Sequence, residues 1–149
     1  RLVIVGDGSL RVKMQRQAQE FDCTENVEWA GRQPQERLME WYRRMDIVLM
    51  PSRSEGFGLT AIEAMANGCV VVASRTGGLP EVVQDGEVGL LHKVGSIDDM
   101  ANKIISLIAT PELLQKYSSK AIRYVRRYSF ERYSQLFNDL YKRLITTKR

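Results

Sequence analysis

The sequence predicts an α/β domain built on a doubly wound parallel sheet, with a helical tail at its C-terminus. Short apolar runs rich in β-branched residues recur along the chain, as expected of strands that are buried on both faces. Segments with helical patterning separate these runs, and such alternation favours a parallel sheet covered by helices. After the last apolar run the sequence predicts helices alone. We interpret residues 1–149 as a single domain.

The predicted strands and helices alternate as far as residue 92. The strands are expected at residues 2–5, 27–30, 47–50, 69–73 and 89–92. The helices are expected at residues 10–20, 35–44 and 60–66, in a short segment from 79, at 97–109 and 111–127, and from 130 onward. Ser9, Ser96 and Ser129 each precede one of these helices, and a serine in that position caps a helix by accepting a hydrogen bond from its first turn.

The stretch from Pro51 to Glu63, PSRSEGFGLTAIE, combines a strand end, a glycine-bearing loop and the start of a helix. We call residues 51–58 the central loop. Gly56 and Gly58 let the backbone turn tightly and approach a ligand closely. The first amides of the following helix, near Leu59 and Thr60, have no partner inside the helix and can donate to an anion.

Two carboxylates, Glu55 and Glu63, flank these amides with the spacing E-x7-E. A carboxylate repels a phosphate placed directly on it but accepts hydrogen bonds from hydroxyl groups to either side. A nucleotide-sugar carries a diphosphate between two polyhydroxylated rings, so it suits both the amides and the carboxylates. In the structural alternative, Glu63 only stabilises the helix dipole and Phe57 fills the core.

This stretch resembles the E-x7-E signature of retaining glycosyltransferases of family 4, which have the GT-B fold. Three further segments look like the C-terminal domain of that family, in the same order: VIVGDGSL, VVASRTGGLPEVVQDGEVGLL and YSFERY. The resemblance covers nearly the whole chain and implies a Rossmann-like domain that binds a nucleotide-sugar donor. It also implies an enzyme of polysaccharide or glycolipid biosynthesis.

The resemblance implies a role for individual residues. Glu55 would be the catalytic residue and would hold hydroxyls of the transferred sugar near the reacting carbon. Glu63 would accept hydrogen bonds from the ribose hydroxyls of a UDP- or GDP-sugar. The other candidates for donor binding are Gly56, Phe57 and Gly58 along the sugar, Leu59 and Thr60 at the diphosphate, Arg32 near the base, and Gly8. Arg32 could equally be an ordinary surface arginine.

The reaction implied by the resemblance is sugar transfer with retained anomeric configuration, in which the diphosphate leaves as the acceptor attacks. No metal and no other cofactor is expected, since Arg and Lys can stabilise the leaving diphosphate. In the family these cations lie on a strand-loop unit that should precede Arg1, and acceptor contacts lie in an N-terminal domain. We therefore expect a truncated donor-binding domain that has little or no transferase activity alone.

Three other functions stay open. A nucleotide-sugar epimerase shares this architecture, although the central loop supplies no obvious acid and base. A non-catalytic nucleotide-binding module would leave Glu55 and Glu63 with structural roles only. A dinucleotide-binding domain would use Gly6-Asp7-Gly8, but Arg11 stands where the third glycine of that fingerprint belongs. A tight turn between strand and helix explains the same glycines without a ligand.

Composition bears on the class of protein and on its cellular compartment. The chain is 44% hydrophobic and 27% charged, as in ordinary globular proteins. No apolar run approaches the roughly 20 residues that a membrane span needs, and Cys23 and Cys69 are expected to be free thiols in a reducing compartment. We therefore expect a cytoplasmic protein.

The charge is unevenly distributed. Residues 110–149 contain ten Lys or Arg and three acidic residues, whereas residues 1–109 contain twelve and fifteen. We expect this basic tail to be a solvated face or a surface that meets another domain, and contact with an anionic membrane is the alternative. No nucleic-acid motif accompanies the charge, so no nucleic-acid partner is expected.

Three further expectations concern packing. His92 is expected at the surface, because no acid or nucleophile lies near it in the sequence. Gly77 and Gly78 would serve a turn or a close approach to the acceptor or to the rest of the enzyme. The apolar stripe of the last helix is expected to pack against the protein; its members are Phe130, Tyr133, Phe137, Leu140, Tyr141 and Leu144.

Overall fold

The computed structural model describes residues 1–146 and divides the chain into two compact units. The first unit is Arg1–Glu40, and the second begins at Trp41. Every strand is parallel to the strand beside it. The predicted α/β class with parallel strands, flanking helices and a C-terminal helix is confirmed, and the described strands fall into two sheets rather than one.

The first unit contains a two-stranded sheet. β1 (Leu2–Val5) lies beside β2 (Val27–Gly31), with an irregular register after Ile4. The helix α1 (Arg11–Glu20) and a short 3₁₀ turn at Thr24–Asn26 connect the two strands. The helix α2 (Gln35–Tyr42) follows β2, and its last two residues, Trp41 and Tyr42, belong to the second unit.

The predicted cap at Ser9 is wrong. The residue at the N-cap of α1 is Leu10, and no side chain caps the helix there. The carboxylate of Asp7 organises the turn instead, because it accepts a hydrogen bond from the Gly8 amide at 2.8 Å and one from the Arg11 guanidinium at 3.0 Å.

The second unit contains a three-stranded sheet in the order β3-β4-β5. Its strands are β3 (Ile47–Met50), β4 (Val70–Ser74) and β5 (Gly89–His92). Its helices are α3 (Leu59–Ala66), α4 (Leu79–Val82), α5 (Ile97–Ile108), α6 (Pro111–Tyr124) and α7 (Phe130–Thr146), with a 3₁₀ turn at Val125–Tyr128 between the last two. The loops after β3 and β4 therefore emerge at the same edge of this sheet.

The core of the second unit is built around β4. Every residue of this central strand is buried, which explains why its sequence is apolar from Val70 to Ala73 rather than alternating. One core cluster consists of Val70, Val72, Leu90, Leu107 and Tyr117. This packing fixes the strand ends from which the loops of the candidate site emerge.

Two predicted helix caps are confirmed. The Ser96 hydroxyl accepts a hydrogen bond from the Asp99 amide at 3.3 Å. The Ser129 hydroxyl accepts one from the Arg132 amide, also at 3.3 Å. The Asp99 carboxylate bonds the amide of Lys93 at 2.7 Å, so it ties α5 to the end of β5.

The expectation that His92 lies at the surface is wrong. Its side chain is 2% exposed, because β5 is buried along its whole length. The Nδ1 atom lies 3.0 Å from the Lys93 carbonyl oxygen, which can only accept, so Nδ1 carries the proton. The Nε2 atom lies 3.4 Å from the Ser74 hydroxyl oxygen, within hydrogen-bond distance. His92 therefore joins the ends of β4 and β5.

The expectation that the apolar stripe of α7 packs against the protein is also wrong for the described residues. No residue of α7 is buried, and Phe130 is 83% exposed. The helical periodicity was predicted correctly, but residues 1–146 provide no surface that covers the stripe.

Candidate functional site

The central loop leads from β3 into α3 through a left-handed glycine. Gly58 has φ +92° and ψ +40° and occupies the N-cap of α3. Its carbonyl accepts hydrogen bonds from the amides of Ala61 at 3.0 Å and Ile62 at 3.2 Å. Bonding within the helix therefore begins at Ala61. The amides of Leu59 and Thr60 precede it, on residues that are both exposed, as an anion-binding helix start requires.

A second loop, residues 75–78 after β4, packs against the central loop. The Gly78 amide donates to the Gly56 carbonyl at 3.0 Å, and the Thr76 hydroxyl donates to the Arg53 carbonyl at 3.3 Å. A Cβ atom on Gly77, which has φ +53°, would overlap the Glu55 carbonyl oxygen. The close approach for which Gly77 is needed is thus made by the central loop itself.

The side chains at the tip of the central loop are accessible to a ligand. Glu55 is half-buried, and its backbone lies close against Gly77. Phe57 is 40% exposed, and its ring meets Tyr128 edge-on with a centroid distance of 5.8 Å. Phe57 is therefore not a buried core residue, and the structural alternative for it fails.

Glu63 lies on α3 in contact with the end of α2. It is half-buried, and its Oε2 atom accepts a hydrogen bond from the Tyr42 hydroxyl at 3.2 Å. Its backbone carbonyl accepts from the Asn67 side-chain amide at 2.9 Å. Burial, followed by the Glu63 charge, raises the pKa of Tyr42 to about 12. The phenol is therefore neutral at ordinary pH and acts as the donor in this pair.

Sequence reasoning missed Tyr42. It precedes Glu63 by 21 residues and belongs to a different helix, so no local pattern connects the two. The sequence predicts a turn at Gly77. It does not predict that the backbone of Glu55 packs against this glycine.

Cys69 supports the same corner of the structure. Its side chain is fully buried, and its thiol donates to the carbonyl oxygens of Tyr42 at 3.1 Å and Met45 at 3.3 Å. Burial, and secondarily the charge of Asp46, raises the pKa of Cys69 to about 11. Both cysteines are free thiols, as predicted.

Thiol modification should distinguish the two cysteines. At pH 8 we expect Cys23, which is partly exposed, to react with a disulfide reagent much faster than Cys69. The raised pKa alone lowers the thiolate fraction of Cys69 by about 100-fold, since reactivity follows the thiolate, and burial slows the reaction further. The measurement is the time course of thiol release with and without denaturant, with Cys23→Ser to assign the fast phase. Two equally fast thiols in the native chain would contradict the burial of Cys69.

Gly8 and Arg32, the two candidates outside the central loop, lie in the first unit. Gly8 is exposed in the turn after β1, where the neighbouring Gly6 amide donates to the Gly31 carbonyl at 2.7 Å. Arg32 directly follows β2 and is exposed. Each therefore stands at the carboxyl end of its strand, and their roles stay predictions.

Among residues 1–146, no group of three or more His, Cys, Asp or Glu side chains is placed to hold a metal ion. Within that same range, the helices are too short or too polar to cross a bilayer.

Comparison with known proteins places this geometry in a family. The family model for group 1 glycosyl transferases matches residues 1–124. The chain is 32% identical over 141 residues to an uncharacterised glycosyltransferase of Methanocaldococcus jannaschii, covering 95% of this chain and 40% of that protein.

Solved structures agree with the family match. Sucrose-phosphate synthase from Thermosynechococcus elongatus is similar with a TM-score of 0.86 and 30% identity, over 98% of this chain and 39% of that one. Anabaena HepE in complex with UDP-glucose is similar with a TM-score of 0.83 and 25% identity, over 94% and 40% of the two chains. The chain thus spans about two-fifths of the length of these proteins. It belongs to the group 1 glycosyltransferase family, whose structural relatives have the GT-B fold.

Proposed function

We propose that this chain binds the nucleotide-sugar donor, a UDP-sugar, of a retaining glycosyltransferase. The observation that carries the proposal is the arrangement of the central loop and the start of α3. The exposed residues Leu59 and Thr60, whose amides precede the first bond within the helix, open α3, and Glu55 and Glu63 flank them in the chain. The UDP-glucose complex of the similar HepE protein supports a uridine nucleotide as the donor.

Each part of the donor has a chemically suitable partner on the central loop or on α3. The diphosphate is an anion and would bind at the amides of Leu59 and Thr60. The ribose hydroxyls would donate to the Glu63 carboxylate, and the hydroxyls of the transferred sugar would donate to Glu55. Gly56, Phe57 and Gly58 would line the sugar, the glycines allowing close approach of the backbone.

The chemistry proposed is a single exchange of bonds at the anomeric carbon. The bond from this carbon to the diphosphate oxygen breaks, and a bond to the acceptor oxygen forms on the same face. The acceptor hydroxyl gives its proton to the departing diphosphate. Fixed dipoles and positive charge that stabilise the leaving diphosphate lower the barrier. We propose that these come from the protein without a metal ion.

The chain matches only part of the length of similar proteins, which bears on where the acceptor binds. This chain spans about two-fifths of the proteins to which it is similar. We therefore propose that acceptor recognition depends on parts of the enzyme beyond these 149 residues, and that the chain alone has little or no turnover. Contact of the basic tail with an anionic membrane stays the alternative to a solvated or domain-contacting surface.

The test of this proposal compares UDP with UDP-glucose. We expect the chain to bind UDP-glucose more tightly than UDP, and Glu55→Ala to abolish most of that preference while leaving UDP binding nearly unchanged. A charged hydrogen bond of about 1.5–3 kcal/mol corresponds to a loss of roughly 10-fold or more. Backbone amide shifts in an NMR titration measure both affinities.

The matched control is Glu112→Ala, at an exposed glutamate in the first turn of α6. It should change neither affinity. Equal affinity of the unmodified chain for UDP and UDP-glucose would contradict the role of Glu55 and favour a non-catalytic nucleotide-binding module.

A further inference from the structure

We infer that Tyr42 is a positioning residue for the donor, acting through Glu63: its hydroxyl group holds the Glu63 carboxylate in the orientation that receives the ribose. This inference rests on the proposed function, in which Glu63 binds the ribose hydroxyls. It assigns a role to a residue outside the E-x7-E stretch, on the helix that precedes β3.

The geometry of the pair indicates that Tyr42 donates the hydrogen bond and Glu63 accepts it. The Tyr42 hydroxyl lies 3.2 Å from Glu63 Oε2. An ionised carboxylate can only accept, so the phenol must donate. A carboxylate has about four lone-pair sites on its two oxygens, so the hydrogen bond from Tyr42 occupies only one of them.

Tyr42 is buried and hydrogen-bonded, so it can hold the Glu63 carboxylate in place. Its side chain is 8% exposed. Its backbone carbonyl accepts hydrogen bonds from the Cys69 thiol at 3.1 Å and from the Met45 amide at 3.1 Å. The end of α2 is thereby tied to the start of β4. On the other side of the pair, Asn67 bonds the Glu63 carbonyl at 2.9 Å.

A glutamate side chain loses conformational entropy when a ligand fixes it in one rotamer. If the side chain is already fixed before the ligand binds, this entropy cost no longer weakens binding. The Tyr42 hydroxyl fixes one oxygen of the carboxylate. A role confined to packing would depend on the ring of Tyr42 and not on its hydroxyl, so the two roles can be separated by removing the hydroxyl alone.

The experiment compares UDP with 2′,3′-dideoxy-UDP, which lacks the ribose hydroxyls. We expect Tyr42→Phe to weaken UDP binding about five- to ten-fold, the effect of one hydrogen bond, and to change dideoxy-UDP binding less than two-fold. A merely structural loss would weaken both ligands equally, and that result would overturn the inference. So would unchanged UDP binding.

The control variant is Tyr117→Phe, which removes the hydroxyl of another buried tyrosine, on α6. It should leave both affinities unchanged. If Tyr42→Phe does not fold, the comparison is made in the Glu63→Ala background, where loss of the Tyr42 hydroxyl should have no further effect on UDP. A further loss there would show that Tyr42 acts without Glu63 and would overturn the inference.

The outcome also separates this inference from the proposed function. If the unmodified chain binds UDP and dideoxy-UDP equally well, Glu63 does not bind ribose, and the proposed role of Glu63 fails together with that of Tyr42. If the unmodified chain prefers UDP and Tyr42→Phe keeps the whole preference, only the role of Tyr42 fails.

Discussion

Replacing Gly77 by alanine is expected to lower the free energy of unfolding by about 3 kcal/mol and to displace Glu55. Two costs combine. Gly77 has φ +53°, a conformation that costs a residue with a Cβ atom about 1–2 kcal/mol. The new methyl group would also overlap the Glu55 carbonyl oxygen, so the backbone of the central loop must shift, which adds strain of about 1–3 kcal/mol.

The control for this variant is Gly86→Ala. Gly86 has φ +76°, and a Cβ atom there would meet no other atom within 4 Å. It should show the conformational cost alone, about 1–2 kcal/mol. Urea unfolding of the two variants measures the difference, and binding of UDP-glucose should weaken only in Gly77→Ala. Equal destabilisation would mean that the two loops do not pack as described.

Glu63→Ala is expected to weaken UDP binding by about 30-fold, the effect of losing charge-assisted hydrogen bonds of about 2 kcal/mol. The variant also leaves the Tyr42 hydroxyl without its partner, and Tyr42 is 8% exposed. The free energy of unfolding should therefore fall by about 1–2 kcal/mol as well. Calorimetric or NMR titration gives the affinity, and urea unfolding gives the stability.

Two controls separate affinity from stability. Glu63→Gln has nearly the same shape and keeps an acceptor for Tyr42, so it should restore most of the stability while losing the charge. Glu112→Ala removes an exposed glutamate from the first turn of α6. It should leave the UDP affinity unchanged and lower the free energy of unfolding by at most about 1 kcal/mol. Unchanged UDP affinity in Glu63→Ala would leave that carboxylate with a structural role only.

The features that the sequence predicted correctly are local ones. The strand β4 is recognisable because Val70, Val71 and Val72 are apolar in succession, and the structure buries all three. The central loop is recognisable because its two glycines and the start of α3 follow one another within a few residues. The caps at Ser96 and Ser129 depend on amides three residues away. Short sequence separation makes such features visible in a single chain.

The features that the sequence did not predict depend on contacts between distant segments. Tyr42 meets Glu63 across 21 residues, and Gly77 packs on Glu55 from the neighbouring strand's loop. His92 is buried by the sheet around it, although its own neighbours in the sequence gave no sign of this. Conversely, the apolar periodicity of α7 predicts a helix but does not predict which surface covers its apolar stripe. In the described residues this stripe is not buried.

The central claim is that the central loop and the start of α3 bind a nucleoside diphosphate. The measurement that tests it most directly is an amide NMR titration of the chain with UDP, GDP, ADP and NAD, because amide shifts detect even weak binding and locate it. We predict shifts centred on residues 56–63 with UDP, reduced in Glu63→Ala. Shifts confined to the turn at Gly6-Asp7-Gly8 with NAD, and none in residues 56–63 with any nucleoside diphosphate, would contradict the claim.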